Sequence, residues 1–178
     1  MIMQYTHVLM CRDRMDGTLR GAMLLGIEHK GNYTLLRLGV TTFKNYYRGS
    51  PFIKIIVASL TLSELIKHPL TPIFTIGIVY SPKAYVFGLS MAEYHPVYNR
   101  ETPQQYKKIF AELAETYISS KPGRARYNPE TFVIEQEDSS VAENLAVLSE
   151  HELQNPHIKF FVERNPGWKK VNYRPLVL

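Results

Sequence analysis

The sequence predicts an α/β (α+β) domain with a mixed, mostly antiparallel sheet and a central βαβ unit. Two short continuous apolar runs, Tyr33 to Phe43 and Ile73 to Tyr80, flank a segment in which Phe52, Ile55, Ile56, Ser59, Leu60, Ser63 and Ile66 keep helical spacing. A strand, a glycine-containing turn, a helix and a second strand in so short a stretch form a crossover, which makes the two strands parallel neighbours. Upstream, further apolar runs are separated by turn sequences, the pattern of an antiparallel meander.

Each element follows from local signals. Val8, Leu9 and Met10 centre a first strand, Asp13-Arg14-Met15-Asp16-Gly17 supplies a hairpin turn, and Leu19 to Glu28 returns as the second strand. Lys30-Gly31-Asn32 then turns the chain into Tyr33 to Phe43. The central helix runs from about Phe52 to His68, with Ser50 as N-cap and Pro51 at the first helical position, and Pro69, Thr71 and Pro72 stop it. Ser81-Pro82 opens another helical stretch to about Ala92. Thr102 as N-cap, Pro103 at the first helical position and Gln105 completing a capping box start a helix with an apolar face of Tyr106, Ile109, Phe110, Leu113, Ala114 and Tyr117. Beyond it the sequence reads as a basic loop (Ser119 to Asn128), a strand (Thr131 to Glu135), a short helical stretch (Val141 to Leu148), a capping box at Ser149-x-x-Glu152 and a last strand (Ile158 to Glu163). Asn165-Pro166-Gly167 ends that strand in a turn.

A chain of 178 residues that is 45% apolar fits a single domain, 1–178, with a sizeable core. No apolar run approaches the ~18 to 20 residues that span a bilayer, and the start lacks a secretion pattern, so a cytoplasmic protein with no membrane span is expected. Cys11 is the only cysteine, which excludes an intramolecular disulfide and a cysteine-cluster metal site; it reads as a structural thiol. A net charge of +5 and a pI near 9.2 favour an acidic partner: a nucleotide cofactor, an acidic carrier protein, nucleic acid or a membrane surface.

Three constellations suit chemistry. Arg48-Gly49-Ser50 at a helix start, flanked by Lys44 and Lys54, offers unpaired amides and positive charge to a phosphate, and equally reads as a plain strand-to-helix turn. Tyr80, Tyr85, Glu93, Tyr94, His95 and Tyr98 gather groups that exchange protons, and equally read as core packing. Lys121, Arg124, Arg126, Lys169, Lys170 and Arg174, interleaved with Tyr127, Trp168 and Tyr173, suit single-stranded nucleic acid or a solvated surface with anchoring aromatics. The six histidines, His7, His29, His68, His95, His151 and His157, are dispersed with no histidine pair at i, i+4, and no H-E-x-x-H, Walker loop or Ser/His/Asp triad occurs. No metal is therefore expected.

The strand ending Val40-x-x-Phe43, then Tyr47-Arg48-Gly49, a long helix, a strand and a Ser81-Pro82-x-Ala84 helix resemble the core of the GNAT-type N-acyltransferase superfamily, over about Gln4 to Pro96. The usual two helices before the meander are lacking, and the small positions of the family's pyrophosphate turn fall on Pro51 and Ile53. The resemblance implies transfer of an acyl group from an acyl thioester, on coenzyme A or an acyl carrier protein, to an amine. It implies Thr41, Phe43, Arg48, Gly49, Ser50 and Phe52 as donor-binding residues. Its acid is a tyrosine, whose column here falls on Gly88 and leaves Tyr85 nearest, with Glu93 and His95 as candidate bases. An acidic carrier protein presents one phosphate instead of a pyrophosphate and asks less of the altered turn; a second copy of the chain is a further candidate partner. The rival expectation is a non-catalytic GNAT-like binding protein whose basic surface engages a protein or nucleic acid.

Overall fold

The computed structural model describes residues 5–44, 51–91, 93–120, 123–136, 147–169 and, in backbone, 173–177. The fold is the mixed, mostly antiparallel α/β (α+β) arrangement expected, and the chain divides into two compact units, Gln4–Gly77 and Ile78–Leu178 with Met1–Met3.

In the first unit β1 (His7–Arg12), β2 (Leu19–Lys30) and β3 (Tyr33–Phe43) form the antiparallel meander. Gly17 and Gly31, at φ 68° and 55°, make its turns in the left-handed region that glycine enters without strain. The crossover helix α1 (Phe52–Lys67) leads to β4 (Ile73–Ile78), which pairs in parallel with β3 from Thr34↔Ile73 to Leu38↔Gly77. Met23, Leu25, Leu35, Leu36, Val57 and Ile76 are buried here.

β3 carries a bulge at the point where that parallel pairing stops. Between the pairs Leu25↔Leu38 and Met23↔Thr41, β2 has Leu24 alone while β3 has both Gly39 and Val40. Gly39 is required there, because a Cβ would run into the Tyr5 ring and Leu24. The extra residue resets the side-chain alternation, so Thr41 and Phe43 share a face with Leu38, Leu36 and Thr34. α1 runs along this face: Phe52 at its start meets Phe43 edge to face at 6.1 Å, and His68 at its end meets His29 at 4.9 Å. Its inward side differs from the one the helical spacing suggested. Ile55 and Ile66 are exposed, whereas Val57 and Glu64 are buried.

The second unit contains α2 (Pro82–Leu89), α3 (Gln104–Ser119), β5 (Ala125–Asn128), β6 (Val133–Gln136), α4 (Glu150–Gln154), α5 (Pro156–Arg164) and β7 (Tyr173–Val177). β6 pairs antiparallel with both β5 and β7. Ile109, Phe110, Leu113, Ala114 and Tyr117 are the buried face of α3, as expected, and Phe110 meets Phe132 at 5.2 Å. A second cluster joins Tyr85, Tyr94, Phe161 and Trp168.

Three sequence expectations are corrected. Ile158 to Glu163 is not a strand but lies in α5, because Asn155 accepts a hydrogen bond from the His157 amide and Pro156 follows at the first helical position. The expected basic loop, Ser119 to Asn128, contains β5. Thr102 does not cap α3: it is buried, and Pro103 holds the cap position without a side-chain bond. Ser149 and Glu152 do form the capping box. Most of the expected Val141 to Leu148 helix lies outside the described residues.

Candidate functional site

Of the expected donor-binding residues, Thr41, Phe43 and Phe52 are described; Arg48, Gly49 and Ser50 lie outside the described residues. Val40, Thr41 and Thr42 are exposed, and Phe43 is buried beneath Phe52 and against the Gly21 backbone. β4 ends at Ile78, so Gly39–Phe43 run on past its last paired residue, Gly77. Beyond the bulge, β3 thus presents a stretch of strand whose β4 side is not paired by β4. Main-chain amides and carbonyls on such an edge accept an added extended chain that carries its own amides.

The expected proton-transfer residues lie in the second unit. Tyr85 is 1% exposed, and its hydroxyl donates to the Pro96 carbonyl at 2.7 Å. Its ring packs on Tyr94, Phe160 and Phe161, and burial pushes its pKa well above the usual phenol range. These contacts make Tyr85 a packing and hydrogen-bonding residue of the core. Gly88 lets the ring of Tyr94 lie directly on α2, where a Cβ would collide with it.

His95 and Glu93 are brought together, with His95 Nε2 3.5 Å from Glu93 Oε1. Glu93 is exposed and also accepts from Arg100 at 3.1 Å. His95 is buried and stacks on Tyr106 at 4.5 Å, and neither of its ring nitrogens makes a hydrogen bond. Burial lowers its pKa, an effect that Glu93 opposes and Arg100 reinforces. The imidazole is therefore neutral near pH 7 and has an unengaged lone pair that can accept a proton.

Trp168 is 2% exposed in the aromatic core, which removes its ring from the proposed nucleic-acid patch. Tyr127 is half-buried, with its pKa pushed up to about 12 by burial. Cys11 is a half-buried free thiol in β1.

The first unit also assembles a constellation that the dispersed histidines concealed: His29, Glu64 and His68 place one ligand atom each within 4.8 Å of one another. The available signal was the i, i+4 spacing of Glu64 and His68, which puts both on one face of a helix. Among the described residues no helix is long and apolar enough to cross a membrane. In comparisons with known proteins, no family model matches the chain and no curated protein matches it.

Proposed function

We propose that the chain is an acyltransferase that takes an acyl group from a thioester, on coenzyme A or an acyl carrier protein, and passes it to an amine. The observation that carries this reading is the bulged end of β3. A phosphopantetheine arm, common to both donors, is extended and contains amides, so it can bond along Gly39–Phe43 as a short added strand. Lys44 and Arg48 follow in sequence and suit its phosphate, and the net charge of +5 suits an acidic carrier.

The reaction needs one proton moved and no covalent intermediate. The amine nitrogen attacks the thioester carbonyl, the carbon–sulfur bond breaks, and the proton lost by nitrogen ends on the thiolate. His95 has the chemistry of a proton acceptor, since burial keeps it neutral and its ring nitrogens make no hydrogen bond. Tyr85 has a supporting role in this reading, holding the Pro96 carbonyl next to His95.

Thermal unfolding with coenzyme A, long-chain acyl coenzyme A and acyl carrier protein tests it. A donor at ~100 times its dissociation constant adds about 2.7 kcal/mol to stability and raises the midpoint. In amide NMR spectra the same ligand is expected to shift Gly39–Phe43, and Arg48→Ala is expected to weaken it. No midpoint change with any thioester, together with salt-sensitive binding to nucleic acid, would contradict this reading and favour the non-catalytic one.

A further inference from the structure

We infer that His29, Glu64 and His68 form a binding site for a single divalent cation of the zinc type, which ties the end of the β2–β3 hairpin to the C-terminus of α1. This departs from the metal-free expectation drawn from the sequence and is independent of the acyltransferase reading.

Glu64 is the central group. Its side chain is 3% exposed, although the Lys67 and His29 side chains beside it are 59% and 56% exposed, so it is roofed by long polar side chains rather than sunk in an apolar core. Oε1 accepts from Lys67 Nζ at 2.8 Å. Oε2 is buried and makes no hydrogen bond; His29 Nε2 stands 3.7 Å away, beyond hydrogen-bond reach. A buried, half-satisfied carboxylate is costly, and a cation between it and the imidazole completes it.

Both histidines are arranged to supply lone pairs. His29 Nδ1 is engaged with Oγ1 of the fully buried Thr34, its directly opposite partner across the hairpin, at 3.1 Å. That leaves Nε2 as the free nitrogen on the side of Glu64, the arrangement in which a metal-bound histidine is oriented through its other nitrogen. His68 is held by the helix end, its amide donating to the Glu64 carbonyl at 2.8 Å and its own carbonyl accepting from the Thr71 amide at 3.1 Å. Its ring meets His29 at 4.9 Å and 62°. The carboxylate on Lys67 and the imidazole on Thr34 thus each have a second partner that fixes them.

A tetrahedral ion with bonds of about 2.1 Å separates its ligand atoms by about 3.4 Å. The three ligand atoms lie within 4.8 Å of one another, and the exposed ring of His68 can swing to close the difference. Two imidazoles and one carboxylate favour zinc, cobalt or nickel over calcium or magnesium, and three protein ligands leave a fourth position for water. The carbonyl end of α1 adds a favourable field for a cation.

The test uses the full chain, free of any affinity tag and stripped with chelator, titrated with Co2+ followed by its visible absorption and then with Zn2+ in competition. One ion per chain with a dissociation constant below about 1 μM is expected. Glu64→Gln and His29→Gln should each weaken binding at least about 100-fold, a loss larger than outer-shell changes give. His68→Asn alters an exposed residue, so it tests the site even where Glu64→Gln perturbs folding, and it should weaken binding similarly. Affinity weaker than about 100 μM would overturn the proposal, as would tight binding that survives both His29→Gln and His68→Asn.

Discussion

Among the described residues, two histidine–carboxylate pairs have nearly equal spacing and opposite burial. His29 and Glu64 stand 3.7 Å apart with the carboxylate at 3% exposure and the imidazole at 56%; His95 and Glu93 stand 3.5 Å apart with the imidazole at 3% and the carboxylate at 62%. Which member is shielded decides what the pair can do. A shielded carboxylate that keeps its charge attracts a cation. A shielded imidazole loses its charge, and the solvated carboxylate beside it is too well screened to restore it. In the readings proposed above, the same two residue types serve as a metal-ligand cluster in one unit and as a proton acceptor in the other.

The largest effect that would break this comparison is kinetic. His95→Gln is expected to lower thioester-dependent amine acylation by roughly 10² to 10⁴, the usual contribution of a positioned base, whereas Glu93→Gln should cost less because solvent already screens it. Steady-state assays with excess donor check both. Metal affinity should separate the pairs in the other direction: Glu64→Gln loses zinc by about 100-fold or more, and Glu93→Gln leaves the affinity unchanged.

A smaller effect concerns the scaffold beneath His95. Tyr85→Phe leaves the Pro96 carbonyl without its donor and should cost about 1–3 kcal/mol in chemical denaturation. Turnover should stay near wild type wherever the variant is folded; a loss of several hundredfold would restore Tyr85 as the acid.

The smallest effect is in the pH dependence of stability, where the two pairs act in separate windows. Burial holds His95 below its ordinary 6.5 in the folded state. As pH falls beneath 6.5 the unfolded chain binds a proton that the folded chain does not, so stability declines until the folded pKa is reached. The Lys67 hydrogen bond holds Glu64 below 4.5, against the effect of burial. Its contribution is full above 4.5 and is lost as pH falls through the folded value. Thermal midpoints across pH should show His95→Gln flattening the upper window and Glu64→Gln the lower.

The meander and the βαβ unit were legible because their signals are local: glycine turns, apolar runs, and prolines after α1. β5 and β7 were not, since four and five residues with charged or proline members become strands only through pairing with the distant β6. Ile158 to Glu163 is apolar enough for either structure, and Asn155-Pro156 decided for helix. The site was legible in part. Glu93 and His95 are neighbours in sequence and meet in space, whereas nothing in the sequence reveals that the Tyr85 hydroxyl is engaged by the Pro96 carbonyl. Glu64 was missed because a glutamate on a helix ordinarily faces water. Only the rotation of α1, which turns Ile55 and Ile66 outward, brings it in.

The central claim, that burial assigns different tasks to the two pairs, is tested most directly by ring-resolved NMR of all six histidines over pH 4 to 8, with and without one equivalent of Zn2+. Zn2+ is expected to shift the rings of His29 and His68 and to leave His95 untouched, while His95 titrates below the ordinary imidazole value. A Zn2+ response at His95 instead of His29, or a His95 that titrates at the ordinary imidazole value, would contradict that claim.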